Sequence, residues 1–160
     1  MSTAVAAAGW EPVIGLEIHV QLKTRTKMFC RCELSWGEQE NTRTCPVCLA
    51  HPGALPVPNR RAIEWTVRLG LALGCTIGIV RAHLEEDAAK TVHVGGAGGR
   101  IHGAERSLVD FNRGGTPLVE IVTGPDIRDA DEARRFLGLL RQTVVELGIS
   151  DAEMEKGSLR

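Results

Sequence analysis

Four cysteines stand in two close pairs, Cys30-x-Cys32 and Cys45-x-x-Cys48, with twelve residues between them. Two short-spaced thiol pairs joined by a loop are what a tetrahedral zinc ion requires, and a closed four-ligand site of this kind is structural rather than catalytic. Pro46 suits a rigid turn inside the second pair, and the nearby Arg25, Lys27, Arg31 and Arg43 would offset the negative charge of four thiolates. The plainer alternative is four reduced cysteines in a loop. Cys75 reads as a buried residue at the end of an apolar helix, and His51 as a loop residue rather than a ligand. An odd total of five cysteines, four of them clustered, does not resemble a disulfide framework.

A second group of chemically capable residues is acidic. Glu17 and His19 sit inside the apolar run VIGLEIHVQL, His83-x-Glu85 repeats that spacing in reverse order, and Glu86, Asp87 and Glu120 add carboxylates from neighbouring segments. Hard carboxylate oxygens with one or two imidazoles suit Mg2+ or Mn2+ beside a phosphate, because Mg2+ keeps several waters and takes few protein ligands. Lys90 and Arg113 are the cations placed to neutralise phosphate oxygens. A solvated sheet face carrying ordinary surface charges remains the competing reading. The GGAGG stretch at 95–99 lacks the GxxxxGK[ST] frame of a phosphate loop and reads as a hairpin tip.

The elements that must position these groups follow from periodicity. In residues 13–22, Ile14, Leu16, Ile18, Val20 and Leu22 point one way and Glu17, His19 and Gln21 the other, which is a strand with one core face and one equipped face. Residues 78–93 repeat the pattern, with Val80, Ala82 and Leu84 alternating with Arg81, His83 and Glu85, and the return through 100–112 suggests a hairpin. Residues 118–122, LVEIV, form a third strand bounded by glycines and prolines. Asn59 can cap a helix whose Ile63, Val67 and Leu71 recur every four residues, with Gly74 ending it. Asp129, with Glu132 three residues on, opens a second helix that places Ala133, Phe136, Leu137, Leu140, Val144 and Leu147 on one face. Residues 23–58, dense in Cys, Pro, Gly, Asn and Thr, form an irregular excursion held by something other than a core. Strands around two helices without regular βαβ alternation predict an α+β domain with a largely antiparallel sheet.

At 160 residues, 43% hydrophobic and 24% charged, the chain is long enough for one globular domain with its own core. A net charge of −1 gives no global attraction to nucleic acid or an anionic membrane, so such a partner would need a local patch. No apolar run reaches the length of a membrane span, and the opening residues lack the pattern of a signal peptide, so a frayed, disordered tail at 1–9 and a cytoplasmic location are expected. Tyrosine is absent, which is unusual for an intact nucleotide or tRNA site.

Taken in order, VIGLEIHVQL, CPVCL, PGALPVPN, HLEEDAAK, SLVDFNRGGTPLVEIV, PDIR and MEKGSLR resemble the GatB family, the B component of the tRNA-dependent amidotransferase, over about residues 10–160. The resemblance implies part of an N-terminal catalytic domain with a glutamine-synthetase-like fold. It implies a subunit that phosphorylates the side-chain carboxylate of misacylated Glu-tRNA(Gln) or Asp-tRNA(Asn) with ATP and then amidates it with ammonia. That ammonia comes from glutamine hydrolysed by an A subunit, and a small C subunit holds the pair together. Motif by motif, Glu17 and His19 fall on the family's metal-binding strand, Glu85 and Glu86 on its acidic pair, and Glu120 on its later acidic strand, as Mg2+ ligands at the catalytic centre. Cys30, Cys32, Cys45 and Cys48 match zinc cysteines found in many members.

The sequence also departs from the family. A long segment rich in tyrosine, phenylalanine and lysine is missing where Ile77 meets Gly78, which accounts for the absent tyrosines. The family continues past the equivalent of Arg160 into further catalytic, helical and tRNA-binding parts. The expectation is therefore a partial active site, inactive in isolation. Ala50, His51 and Pro58 are minor departures. Two other classes compete: a non-catalytic zinc-knuckle module that binds RNA or protein, and a degenerate paralogue that only binds the A subunit. Convergence of the carboxylates with His19 would favour the enzyme, and scatter over separate surfaces the module.

Overall fold

The alternation along VIGLEIHVQL becomes strand β1 (Glu17–Gln21), whose Ile18 and Val20 are buried together with the following Leu22. The computed structural model describes residues 9–160, so the expected tail lies, apart from Gly9, outside the described residues. In chain order there follow α1 (Arg60–Ala72), β2 (Ile79–Glu86), β3 (Lys90–Val94), β4 (Arg106–Asp110), β5 (Pro117–Thr123) and α2 (Ala130–Glu146). This is the α+β composition with two helices and antiparallel pairing that the pattern predicts. It is divided, however, into two compact units: one of residues up to Lys23 with Ala62–Glu85 and Leu118–Arg160, the other of Thr24–Arg61 and Glu86–Pro117.

The first unit holds a three-stranded sheet in the order β1-β5-β2. β1 and β5 run antiparallel with Ile18 opposite Ile121, His19 opposite Glu120 and Val20 opposite Val119. Because directly opposed residues share a face, Ile18, Val20, Val119 and Ile121 make the core side, and Glu17, His19 and Glu120 the other. The free edge of β1 is covered by the chain end: His19 exchanges backbone hydrogen bonds with Arg160 at 2.8 and 3.0 Å, and Gln21 N–H donates to Ser158. α2 buries Phe136, Leu140 and Val144. Its N-cap is Asp129, whose carboxylate accepts from the Glu132 N–H at 2.7 Å. Glu132 answers by accepting from Arg128 N–H rather than from the cap residue, so the capping box closes one residue early.

Helix α1 forms where expected, with the Asn59 side chain accepting from Arg61 N–H at 3.0 Å, but it turns a different face inward. Ala62 and Leu69 are fully buried, whereas Ile63, Val67 and Leu71, the repeat read as the core face, are 44%, 57% and 83% exposed. Ala62, Trp65, Thr66 and Leu69 form an equally periodic stripe about 150° round the helix, and in that stripe Ala62 and Leu69 are buried and Trp65 and Thr66 half-buried. Cys75, expected to be buried, is exposed past the helix end.

In the second unit the single strand expected over 78–93 is broken. Asp87 N–H donates to Thr116 and its carboxylate accepts from Ala88 N–H, so the chain leaves β2 and restarts as β3, which pairs antiparallel with β4 in a separate two-stranded sheet. Residues 95–105, glycine-rich with a 3-10 turn at Ala97–Gly99, close that hairpin. The excursion contains no helix or ladder before Arg60 apart from a bridge between Thr26 and Glu33. Side-chain to backbone bonds pin it instead. Asn41, at φ 58°, donates to Val109 and accepts from Phe111, and Asn112 accepts from Arg43 N–H and donates to Gln39.

Candidate functional site

The two knuckles of the excursion bring their sulfurs together: Cys30, Cys32, Cys45 and Cys48 each offer a sulfur atom within 4.8 Å of the others. Lys27 N–H donates to Cys32 across the first turn, and Leu49 N–H and His51 N–H close the second on Cys45 and Pro46. The Sγ atoms of Cys45 and Cys48 lie 3.9 Å apart. A tetrahedron with Zn–S bonds of about 2.3 Å has edges of about 3.8 Å, so the donor set fits a zinc ion. Burial raises the Cys45 thiol, but N–H groups of Cys48 and Val47 and the thiols of Cys32 and Cys30 outweigh it and bring it down to about 7. Burial, reinforced by the Cys45 and Cys30 sulfurs, drives Cys32 far up. Within the cluster the Cys45 thiol is thus the readier to ionise and the Cys32 thiol the more reluctant. Three of the four basic residues nearby are used elsewhere: Arg43 pairs with Glu38 at 2.6 Å, Arg25 with Glu33 at 3.3 Å, and Lys27 is buried with its Nζ donating to Phe111 at 2.7 Å.

On the first unit, the non-core face of the sheet collects Glu17, Glu85 and Glu120 of the predicted acidic residues, with His19 and His83. His19 stands opposite Glu120, and Glu17 lies two residues along on the same side of β1. His83, Glu85 and Glu120 offer ligand atoms within 4.8 Å of one another. His83 Nδ1 is 3.1 Å from Glu85 Oε1, close to the separation of about 2.9 Å between adjacent ligands of an octahedral ion with 2.0–2.1 Å bonds. Glu120 is buried at 8% exposure, Glu85 is half-buried and His83 is exposed, so the trio opens to solvent on the His83 side. The parity of β2 that places His83 and Glu85 here also delivers Arg81, which donates to Glu120 Oε2 from Nε at 2.9 Å and from Nη2 at 2.7 Å. Alternation alone shows that Arg81 shares the face with His83 and Glu85. That it pairs with Glu120 depends on β2 lying beside β5, which no local pattern announces.

The remaining predicted residues belong to the second unit. Glu86 follows Glu85 and so points to the opposite side of β2, where it lines a cavity of about 580 Å3 with Lys27, Asp87, His51 and Phe111. Cys30 and Cys48 line the same cavity. Lys90 is exposed at the start of β3, opposite Asp110. Arg113 donates to Ala88 at 2.9 Å and lies 3.8 Å from the buried Asp87 carboxylate. Lys27 and Asp87, both buried, are the functional-type groups of this unit whose burial the sequence pattern does not reveal.

A chain with this face and this cysteine cluster matches one family along nearly its whole length. Residues 12–78 and 76–160 match, as two segments, the family model described as the GatB/GatE catalytic domain. Among curated proteins it is similar to the B subunit of the aspartyl/glutamyl-tRNA(Asn/Gln) amidotransferase of Frankia casuarinae, 45% identical over 199 residues and covering 96% of this chain and 39% of that protein. The like-named protein of Thermobifida fusca is 46% identical over 207 residues, covering 95% and 40%. That of Nocardia farcinica is 42% identical over 211 residues, covering 100% and 42%. The chain therefore spans about two-fifths of the length of these relatives. The alignments are longer than the 160-residue chain, and the family match breaks and restarts at 76–78, so the relatives carry additional residues where Ile77 meets Gly78.

Proposed function

Since the chain belongs to the GatB/GatE catalytic-domain family, we propose that it carries part of the phosphoryl-transfer site of an ATP-dependent, glutamine-using tRNA amidotransferase. The observation that carries this reading is the gathering of Glu17, His19, His83, Glu85 and Glu120 on one face of one sheet. A zinc-knuckle binding module would have no use for that face.

In the proposed reaction a side-chain carboxylate oxygen of Glu-tRNA(Gln) or Asp-tRNA(Asn) attacks the γ-phosphorus of ATP. The bond to the ADP oxygen breaks and an acyl phosphate forms. Ammonia, released from glutamine by the A subunit, then attacks the acyl carbon, and phosphate leaves as the amide forms. Glu85 and Glu120, with His83 beside them, would hold Mg2+, and Glu17 and His19 would complete the set from β1 on the same face; the ion when bound neutralises charge developing on the γ-phosphoryl group. Glu120, largely shielded from water, interacts more strongly with any charge brought against it than an exposed carboxylate would. The motif assigns Glu86 a metal-binding role and charge assigns Lys90 and Arg113 a phosphate-neutralising one, but Glu86 points away from Glu85 and all three belong to the second unit, so they are not counted among the ligands of this sheet face. Cys30, Cys32, Cys45 and Cys48 would hold a structural Zn2+. The glutamine-synthetase-like fold, the C subunit and a cytoplasmic setting follow from the family reading; among the described residues no helix is long and apolar enough to cross a membrane.

The test is a graft in which residues 12–160 replace their counterpart in the Thermobifida fusca protein, with that protein's additional internal residues and its remaining length retained. Assembled with A and C subunits, the graft is expected to form Gln-tRNA(Gln) from Glu-tRNA(Gln) with consumption of ATP, and its Glu120→Gln variant is expected to lose that activity. The chain by itself, supplied with the same subunits, is expected to give no turnover. A graft that folds and assembles but makes no amide would overturn the reading.

A further inference from the structure

Glu120 already holds a cation. Arg81 spends both Nε and Nη2 on the single oxygen Oε2, at 2.9 and 2.7 Å, and leaves Oε1 outside that fork. A guanidinium stays charged at every pH a protein meets, and more often spans both oxygens of a carboxylate than doubles on one. The same carboxylate belongs to the trio with His83 and Glu85, whose ligand atoms lie within 4.8 Å of one another. A divalent ion in that trio would sit within a few ångströms of the guanidinium, where two positive centres repel strongly.

We infer that Arg81 is a built-in counter-ion that competes with the divalent metal for Glu120, and that it swings off the carboxylate when the metal binds. This inference rests on reading the sheet face as a Mg2+ site. Glu120 is nearly buried, and the two Arg81 hydrogen bonds hold its carboxylate in place while no metal is there. The Arg81 side chain is itself 52% exposed on β2, the terminal strand of the sheet, and has room to turn outward. Once released it presents a planar donor fork beside the metal ligands, the geometry that receives a phosphoryl group. The site is thus kept in shape when empty, at the expense of metal affinity.

The test titrates Mn2+ into the zinc-loaded full chain and reads free Mn2+ by electron paramagnetic resonance. Arg81→Met is expected to bind Mn2+ about tenfold more tightly than the parent, the equivalent of one charge-assisted hydrogen bond no longer to be broken. Arg81→Lys, which keeps the charge but loses the fork, is expected to fall between them, and it carries the comparison should Arg81→Met fail to fold in a thermal melt. If the Arg81 variants bind Mn2+ no more tightly than the parent while Glu120→Gln abolishes binding, the metal site stands and the role of Arg81 is overturned. If neither parent nor variants bind Mn2+, the metal reading itself falls and takes the inference with it.

Discussion

Replacing Cys45 by serine should loosen one unit and spare the other. The excursion over residues 23–58 buries little apolar surface: Met28 is its one buried large hydrophobic residue, worth about 2–3 kcal/mol. Fixing each residue's backbone costs roughly 1–2 kcal/mol, so a stretch of this length needs an additional source of order beyond its side-chain to backbone bonds. Structural zinc in small thiolate sites supplies about 10–16 kcal/mol. If four ligands share that equally, losing one costs about 3 kcal/mol, or roughly a hundredfold in metal affinity. The first unit has its own core in Ile18, Val20, Val119, Ile121 and Val144, all at most 2% exposed, and needs no metal. Hydrogen exchange read by mass spectrometry, alongside zinc content by plasma emission, separates the two. In Cys45→Ser, peptides from 26–34 and 41–57 should exchange faster by about two orders of magnitude, while those from 117–123 and 136–144 stay as in the parent. Cys75→Ser, at an exposed thiol, serves as the silent control. Reduced parent protein that contains no zinc, or equal protection of the excursion in Cys45→Ser, would refute the reasoning.

Other consequences follow from single contacts. Asp129→Ala removes the N-cap of α2 and should cost about 1 kcal/mol, read as a lower urea midpoint with unchanged slope. Lys27→Met, nearly isosteric at a site 1% exposed, leaves the Phe111 carbonyl without its 2.7 Å donor and should cost about 1–3 kcal/mol; a neutral result would mean that the amine contributes nothing there. Changing Ile63, Val67 and Leu71 together to Gln should alter stability by less than about 1 kcal/mol, because all three already face solvent, yet reduce binding of an apolar dye. Inserting the Thermobifida fusca relative's additional residues at Ile77–Gly78 should instead slow exchange along α1 and raise the melting temperature; unchanged exchange would show that they do not cover this stripe.

What could be read in the sequence was whatever a local period or spacing decides. The parity of VIGLEIHVQL places Glu17 and His19 opposite the core, and Asp129 with Glu132 marks the start of α2 to the residue. The cysteine spacing foretells four sulfurs within reach of one ion. The failures are of another kind. Along α1 two stripes are equally periodic, and only tertiary packing chooses Ala62 and Leu69 over Ile63, Val67 and Leu71. The break at Asp87 comes from a backbone bond to Thr116, 29 residues away, which no window of residues contains. The pairing of Arg81 with Glu120 joins residues 39 apart and needs the strand order before it can be seen.

The central claim is that this sheet face serves transfer of a phosphoryl group to an aminoacyl carboxylate. Its most direct test gives the Thermobifida fusca graft Glu-tRNA(Gln) and γ-labelled ATP with no glutamine or ammonia, and traps the product with hydroxylamine. The expected result is label transferred to the aminoacyl side chain and a γ-glutamyl hydroxamate, distinct from the α-hydroxamate that ester cleavage gives, which fails to form in Glu120→Gln. Amide synthesis by the same graft, with no labelled acyl phosphate and no γ-hydroxamate, would contradict it.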